Sequence, residues 1–114
     1  MLERLRAARE VWVEVDGFRF LIRRPTDIQL AQWRELSPGE EPEPSRVLRR
    51  CLIAWEGVRE LDVVPGGSAD FAPFSVAVAV EWLEDRVELY SKVIDGVRAA
   101  VTAHAEALRG DEKN

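Results

Sequence analysis

One cysteine, Cys51, and one histidine, His104, are all that this chain of 114 residues offers of the side chains most used for metal binding and nucleophilic chemistry. A lone cysteine excludes an internal disulfide framework and fits a reducing compartment. No second Cys or His is present to complete a zinc site. Long apolar runs are missing too: none approaches the ~20 residues of a membrane span. The first residues, Met1-Leu2-Glu3-Arg4-Leu5-Arg6, are charged at every second or third position and lack the apolar core of a signal segment. These absences predict a cytoplasmic protein with no membrane partner.

Basic charge is also scarce. The net charge is −5. Residues 1–50 carry ten Arg against nine Asp and Glu, a balance of +1, whereas residues 51–114 carry six basic against twelve acidic residues, a balance of −6. An acidic half of this kind argues against a nucleic-acid partner, which needs a basic stripe along the phosphate backbone. Arg4, Arg6 and Arg9 read as a solvated helical face. Pro65-Gly66-Gly67-Ser68 has neither the spacing nor the lysine of a phosphate loop. Gly-x-Ser-x-Gly and His-Glu-x-x-His are absent as well. The reading is of a binding protein and not an enzyme, with no catalytic, cofactor-binding or metal-binding residues to nominate.

What is present describes one α+β domain, mainly α, spanning 1–114: an N-terminal β-hairpin packed on three helices, the last one long. Val11-Trp12-Val13-Glu14-Val15 and Phe18-Arg19-Phe20-Leu21-Ile22-Arg23 alternate on either side of Asp16-Gly17, the strongest short-range hairpin signal a sequence carries. The hairpin is expected over 10–24. A two-residue turn sets Val15 against Phe18, Val13 against Phe20 and Val11 against Ile22 on the face to be buried, with Glu14 opposite Arg19 and Trp12 opposite Leu21 on the other. A first helix is expected over 26–37, with Thr26 and Gln29 placed for a capping box and Ile28, Leu30, Ala31, Trp33 and Leu36 on its apolar side. It should stop at Ser37-Pro38-Gly39, and Pro38 to Pro44 reads as an acidic, proline-punctuated loop that can bury nothing. A second helix is expected over 45–56, capped by Ser45. Its apolar positions are Val47, Leu48, Cys51, Leu52 and Trp55, and Gly57 would be the left-handed residue that ends it.

Ser75 opens the longest element, a helix expected over 75–109. Val76, Val80, Leu83, Val87, Tyr90, Ile94, Val97, Val101, His104 and Leu108 repeat at four and three without a slip, a heptad seam. Such a helix would be roughly 50 Å long, against about 35 Å for the width of a domain this size. Either it breaks, with Gly96 the obvious place, or it projects and packs on another subunit; a continuous helix and a homo-oligomer are the expectation. Cys51 reads as a small buried hydrophobe. His104 reads as a tolerated polar residue on the seam, without a partner. Glu81, Glu84, Asp85 and Glu88 line one helix face and read as a solvated acidic surface.

Between the second and last helices, residues 57–74 make a loop too long for a plain connection, and such loops are functional or hide a short element. Trp55 and Phe74 at its mouth would hold its ends shut while its middle, Arg59 to Asp70, is presented. Cys51-Leu52-Ile53-Ala54-Trp55-Glu56-Gly57-Val58, followed by a glycine-bearing loop and then Pro73-Phe74-Ser75 and a helix, resembles the tail assembly chaperones of long-tailed bacteriophages. The likeness extends over roughly residues 11–90, through a short β pair leading by Arg23-Arg24-Pro25-Thr26 into a helix, and departs in the greater length of the connecting loop. The resemblance implies a non-catalytic phage or prophage protein that binds the tape measure protein and recruits tail tube subunits in the host cytoplasm, leaving before the tail is complete. The alternative is a structural virion component, such as a tail completion or head–tail joining subunit. Candidate protein-binding residues are Trp55, Glu56, Gly57, Phe71, Pro73 and Phe74 around the loop, with Tyr90 and Ile94 on the seam.

Overall fold

Asp16 and Gly17 both take positive φ, 52° and 87°, the left-handed pair of a two-residue turn whose twist matches that of the strands it joins. Across it β1 (Glu10–Val15) and β2 (Phe18–Arg23) pair antiparallel in the expected register, with Val15 opposite Phe18, Val13 opposite Phe20 and Val11 opposite Ile22. Phe20 and Ile22 are fully buried and Val15 nearly so, while Val11, at the open end, remains 40% exposed. The outer face carries Glu14 opposite Arg19 and Trp12 opposite Leu21. There the Arg19 guanidinium lies 4.5 Å from the centre of the Trp12 ring, and Arg23 holds Glu10 at 2.8 Å.

The computed structural model describes residues 1–36 and 43–113, although the side chains of 34–36 and 111–113 are not described. Among the described residues the fold is α+β and mainly α, with a three-stranded antiparallel sheet in the order β1-β2-β3 and six helices. The first, α1 (Leu2–Ala7), is exposed throughout. No helix among the described residues is long and apolar enough to cross a membrane.

Helix α2 (Asp27–Leu36) starts with the expected capping box: the Gln29 amide donates to Thr26 Oγ1 at 3.1 Å, and the Thr26 amide donates to Gln29 Oε1 at 2.9 Å. Trp33 is buried and Leu30 packs against the core, but Ile28 points to solvent. The stop at Ser37-Pro38-Gly39 and most of the Pro38–Pro44 loop lie outside the described residues.

The expected helix over 45–56 is two elements. Helix α3 (Pro44–Cys51) begins at Pro44, whose missing N–H costs nothing in a first turn. Ser45 is therefore no cap; it is buried inside the helix, its hydroxyl 3.0 Å from that of Tyr90. The chain then extends into β3 (Leu52–Glu56), antiparallel to β2, with Phe20 opposite Trp55, Leu21 opposite Ala54 and Ile22 opposite Leu52. Ile53 is the extra residue of a bulge between the last two pairs. The bulge puts Leu52 and Trp55, three apart, on the same buried face. That spacing continues the helical pattern of Leu48 and Cys51, which is why the sequence reads as one helix. Gly57 does take a left-handed φ of 78°, but it ends a strand.

Helix α5 (Val76–Glu84) is capped by Ser75, whose Oγ accepts the Val78 amide at 3.4 Å. The last helix, α6 (Val87–Lys113), does not continue it. At Asp85 and Arg86 the amides bond to Trp82 and Leu83, three residues back, closing α5 in a tight turn before α6 begins. The break is thus at Asp85–Arg86 and not at Gly96. Val87 turns outward, 74% exposed, while Leu89 and Val93 are buried. Seam residues Val80, Leu83, Ile94 and Val97 are covered within a single chain. Helix α6 packs on β1 and β2, is about 40 Å long, and outlasts Gly110 to reach Lys113. The molecule measures 53 × 32 × 24 Å.

Gly96 sits in mid-helix because α6 meets the sheet there. A Cβ on it would lie 2.8 and 3.2 Å from the two methyls of Val13 and 3.3 Å from Ile22 Cδ1. Alanine normally favours a helix over glycine by ~1 kcal/mol, but overpacking a stiff valine costs roughly 1–3 kcal/mol. Gly96→Ala is therefore expected to lower stability by about 1–2 kcal/mol in urea denaturation. In a Val13→Ala background the same change is expected to be neutral or stabilising. An equal loss in both backgrounds would show that the contact is not the cause.

Candidate protein-binding site

The loop over 57–74 is built from its mouth outward. Trp55, on the inner face of β3, packs edge-on against Phe74 at 5.4 Å and against Trp82 at 5.8 Å. Its Nε1 donates to the carbonyl of Ala72 at 2.9 Å, and the Ala72 amide donates to Val58 O at 2.9 Å. Arg59 and Phe71 then face each other in an isolated antiparallel bridge. The two ends are shut, as the aromatics at the mouth predict.

Inside the loop lies a single helical turn, α4 (Glu60–Val63), with Asp62 accepting the Arg59 amide at 2.9 Å. The Glu60 carboxylate accepts from the Ser68 hydroxyl at 2.6 Å and from the Ser68 amide at 3.3 Å. These bonds hold the Glu60 carboxyl below its ordinary value, the hydroxyl contributing most. The backbone returns so closely that a Cβ on Gly67 would lie 2.7 Å from the Glu60 carbonyl. This is a compact Ω-type loop held by its own bonds.

Its outer surface is apolar where loops are usually polar. Phe71 is 69% exposed with the Arg59 guanidinium 5.6 Å from its ring centre, and Leu61 and Val64 are also exposed. A shallow depression of about 360 Å³ runs along the loop mouth, lined by Trp55, Glu56, Gly57, Val58, Phe71 and Ala72. Four of the candidate residues, Trp55, Glu56, Gly57 and Phe71, thus meet in one place. Phe74 backs Trp55, and Pro73 is exposed beside it. Glu56 is held by an ion pair with Arg19.

Tyr90 and Ile94 are not part of this surface. Ile94 is 6% exposed within the core, and Tyr90 is half-buried against it and bonded to Ser45. Like Val80 and Leu83 before the break, these seam positions face the core of their own chain. Arg59, Leu61 and Val64 lie in the segment expected to be presented but were not among the candidate residues. The sign that could have found them is Arg59-Glu60-Leu61-Asp62, with two acidic residues suited to a helical first turn.

Cys51 is buried, and burial pushes its thiol up to about 11, with Arg9 pulling slightly the other way. His104 has a neighbour that the sequence does not suggest: its Nε2 lies 3.6 Å from Asp27 Oδ1. The acidic face of Glu81 to Glu88 is divided by the helix break, and Glu84 lies 4.0 Å from Arg49. Among the described residues no three His, Cys, Asp or Glu side chains converge as metal ligands would. The chain matches no protein-family model, no curated protein and no solved structure.

Trp55→Phe keeps the ring packing and deletes the bond to Ala72. It is expected to cost about 1–2 kcal/mol and to speed hydrogen exchange at the Ala72 amide selectively; unchanged exchange there would remove Trp55 from its role as latch.

Glu60 supplies a pH test. Because its folded value is lowered, its contribution is complete above the unfolded value, about 4.3, and is lost as pH falls through the folded one. Relative to its intrinsic rate, exchange at the Ser68 amide should therefore accelerate as pH falls below that unfolded value, ahead of the sheet amides. Glu60→Gln should abolish that acceleration; its persistence would point to another carboxylate.

Proposed function

We propose that the protein is a non-catalytic tail assembly chaperone of a long-tailed bacteriophage or prophage, working in the host cytoplasm. It binds the tape measure protein, recruits tail tube subunits and self-associates while doing so. The observation that carries this reading is the loop. The two segments behind the resemblance, Trp55-Glu56-Gly57-Val58 and Pro73-Phe74-Ser75, are the two lips of one closed mouth. Between them the chain displays Phe71, Leu61 and Val64 on a framework stiffened by its own hydrogen bonds. An aromatic anchor beside an arginine is the composition of a protein-binding hot spot.

Pre-organisation matters for such a task, because a loop that is already ordered loses less entropy when it is captured by a partner. The projecting end of α6 supports self-association. Among the described residues beyond Val101, His104 is partly buried and Leu108 is 46% exposed.

Two measurements test the reading. In pull-downs with the tape measure protein of the same phage, Phe71→Ala with Arg59→Ala is expected to reduce capture by roughly tenfold or more at an unchanged melting temperature. Mass spectrometry of finished virions is expected to find the protein absent. Its presence at a fixed copy number would make it a structural component, such as a tail completion or head–tail joining subunit.

A further inference from the structure

The two edges of the sheet are not treated alike. On the β3 side the bulge at Ile53 interrupts the ladder, and the returning loop, through Val58, Ala72 and the Trp55 indole, covers the strand end. Those are the usual protections of an edge. On the β1 side, among the described residues, no bulge or returning loop covers the strand, and its charged residues are Glu10 and Glu14. The strand runs for six residues in unbroken register, with no proline, lysine or bulge.

Which of its backbone groups are free follows from the pairing. Arg24 N donates to Arg9 O at 2.7 Å, so Arg9 and Arg24 are a bonded pair. In an antiparallel ladder bonded pairs alternate. Val11, Val13 and Val15 therefore spend their N–H and C=O on β2, and Glu10, Trp12 and Glu14 turn theirs outward. Among the described residues nothing else bonds them.

Beside this edge lies a groove of about 650 Å³. Val11 and Val13 form one wall, and Gly96, Ala99, Ala100 and Ala103 of α6 form the floor. The small side chains leave room where inward residues of a neighbouring strand would fall. Arg9 and Arg24 stand at one end. Neither makes an ion pair among the described residues; Arg9 Nη1 donates to the Arg24 carbonyl at 3.1 Å and Arg24 Nη1 to that of Pro25 at 2.9 Å. On the opposite face of β1, outside the groove, the Glu14 side chain is 80% exposed; Arg19 lies 3.9 Å away but holds Glu56 more closely.

We propose that β1 is a strand-addition site for an extended segment of another protein. The segment pairs antiparallel with Glu10–Val15, its alternate small or medium apolar side chains fill the groove, a basic residue meets Glu14, and a carboxylate at its far end meets Arg9 and Arg24. Main-chain bonds supply affinity in this mode and the pockets supply specificity. A second copy of the chain fits less well. In the two-fold register that pairs the outward groups of residues 10–14 with their own copies, Trp12 faces Trp12 and Glu10 faces Glu14, a like-charge pair. The inference stands on the sheet edge and does not rest on the tail assembly reading.

The probe is a short peptide of alternating valine and threonine, with lysine at its start and aspartate with a free carboxylate at its end. On the full chain, hydrogen exchange of the Glu10, Trp12 and Glu14 amides is expected to slow with added peptide, while Val11 and Val13, already bonded to β2, stay as they were. Trp12→Pro removes an outward N–H and no internal ladder bond. Ala103→Phe fills the groove from an exposed helical position. Each is expected to weaken binding by roughly tenfold or more while the Val11 and Val13 amides keep their protection, and Arg24→Gln should do the same for this peptide but not for one ending in an amide. Protection at Arg59–Ala72 in place of β1, or none at millimolar peptide, overturns the proposal. So does protection of the three amides that rises with protein concentration alone, which would identify the occupant as a second copy.

Discussion

The indole of Trp82 is where the elements of this fold are tied together. It meets Phe18 edge-on at 5.3 Å, Trp55 at 5.8 Å and Phe20 at 6.4 Å, and Trp55 passes the contact on to Phe74 at the loop mouth. Hairpin, third strand, loop and α5 therefore share one aromatic cluster. Each large aromatic removes 150–250 Å² from water, about 4–6 kcal/mol at ~25 cal/mol per Å². The exposed ion pairs around it are worth about 0–1 kcal/mol each. On those magnitudes the cluster sets the arrangement and the charges follow it. The break at Asp85–Arg86 follows too: Trp82 holds α5 against the cluster, whereas α6 must lie along β1 and β2.

The parts of the fold legible in the sequence were those written in local chemistry. Asp16-Gly17 fixes both the turn and the register of the hairpin, and the Thr26–Gln29 and Ser75 caps need only their own neighbours. The parts that were not legible depend on a partner distant in the chain. Leu52 to Glu56 is a strand because β2 offers an edge, and the Ile53 bulge gives its buried residues a helical spacing. The seam from Val76 to Leu108 keeps its period of four and three straight through the helix break. A period alone cannot register a turn that tilts the axis and leaves the spacing intact.

At the candidate site the outcome divides the same way. Trp55 and Phe74 could be read as latches because aromatics flanking a long loop have little else to do. The contact between Ser68 and Glu60, and the close return at Gly67, arise only when the loop has folded on itself. Arg59, Leu61 and Val64 took their exposed positions from that folding. Tyr90 and Ile94 went to the core because the seam is covered within its own chain.

The docking of α6 on the hairpin has a kinetic side. The hairpin closes over two residues, a process of roughly 1–10 μs in isolation. Its buried face is completed by α6, whose Lys92 reaches Asp16 across 76 positions of chain. Contacts of such separation carry the loop-closure entropy of the whole fold and slow its rate. The strand pair that closes over the shortest span is thus covered from the greatest distance, and Val13 and Ile22, which meet Gly96, stay open to water until the final helix arrives.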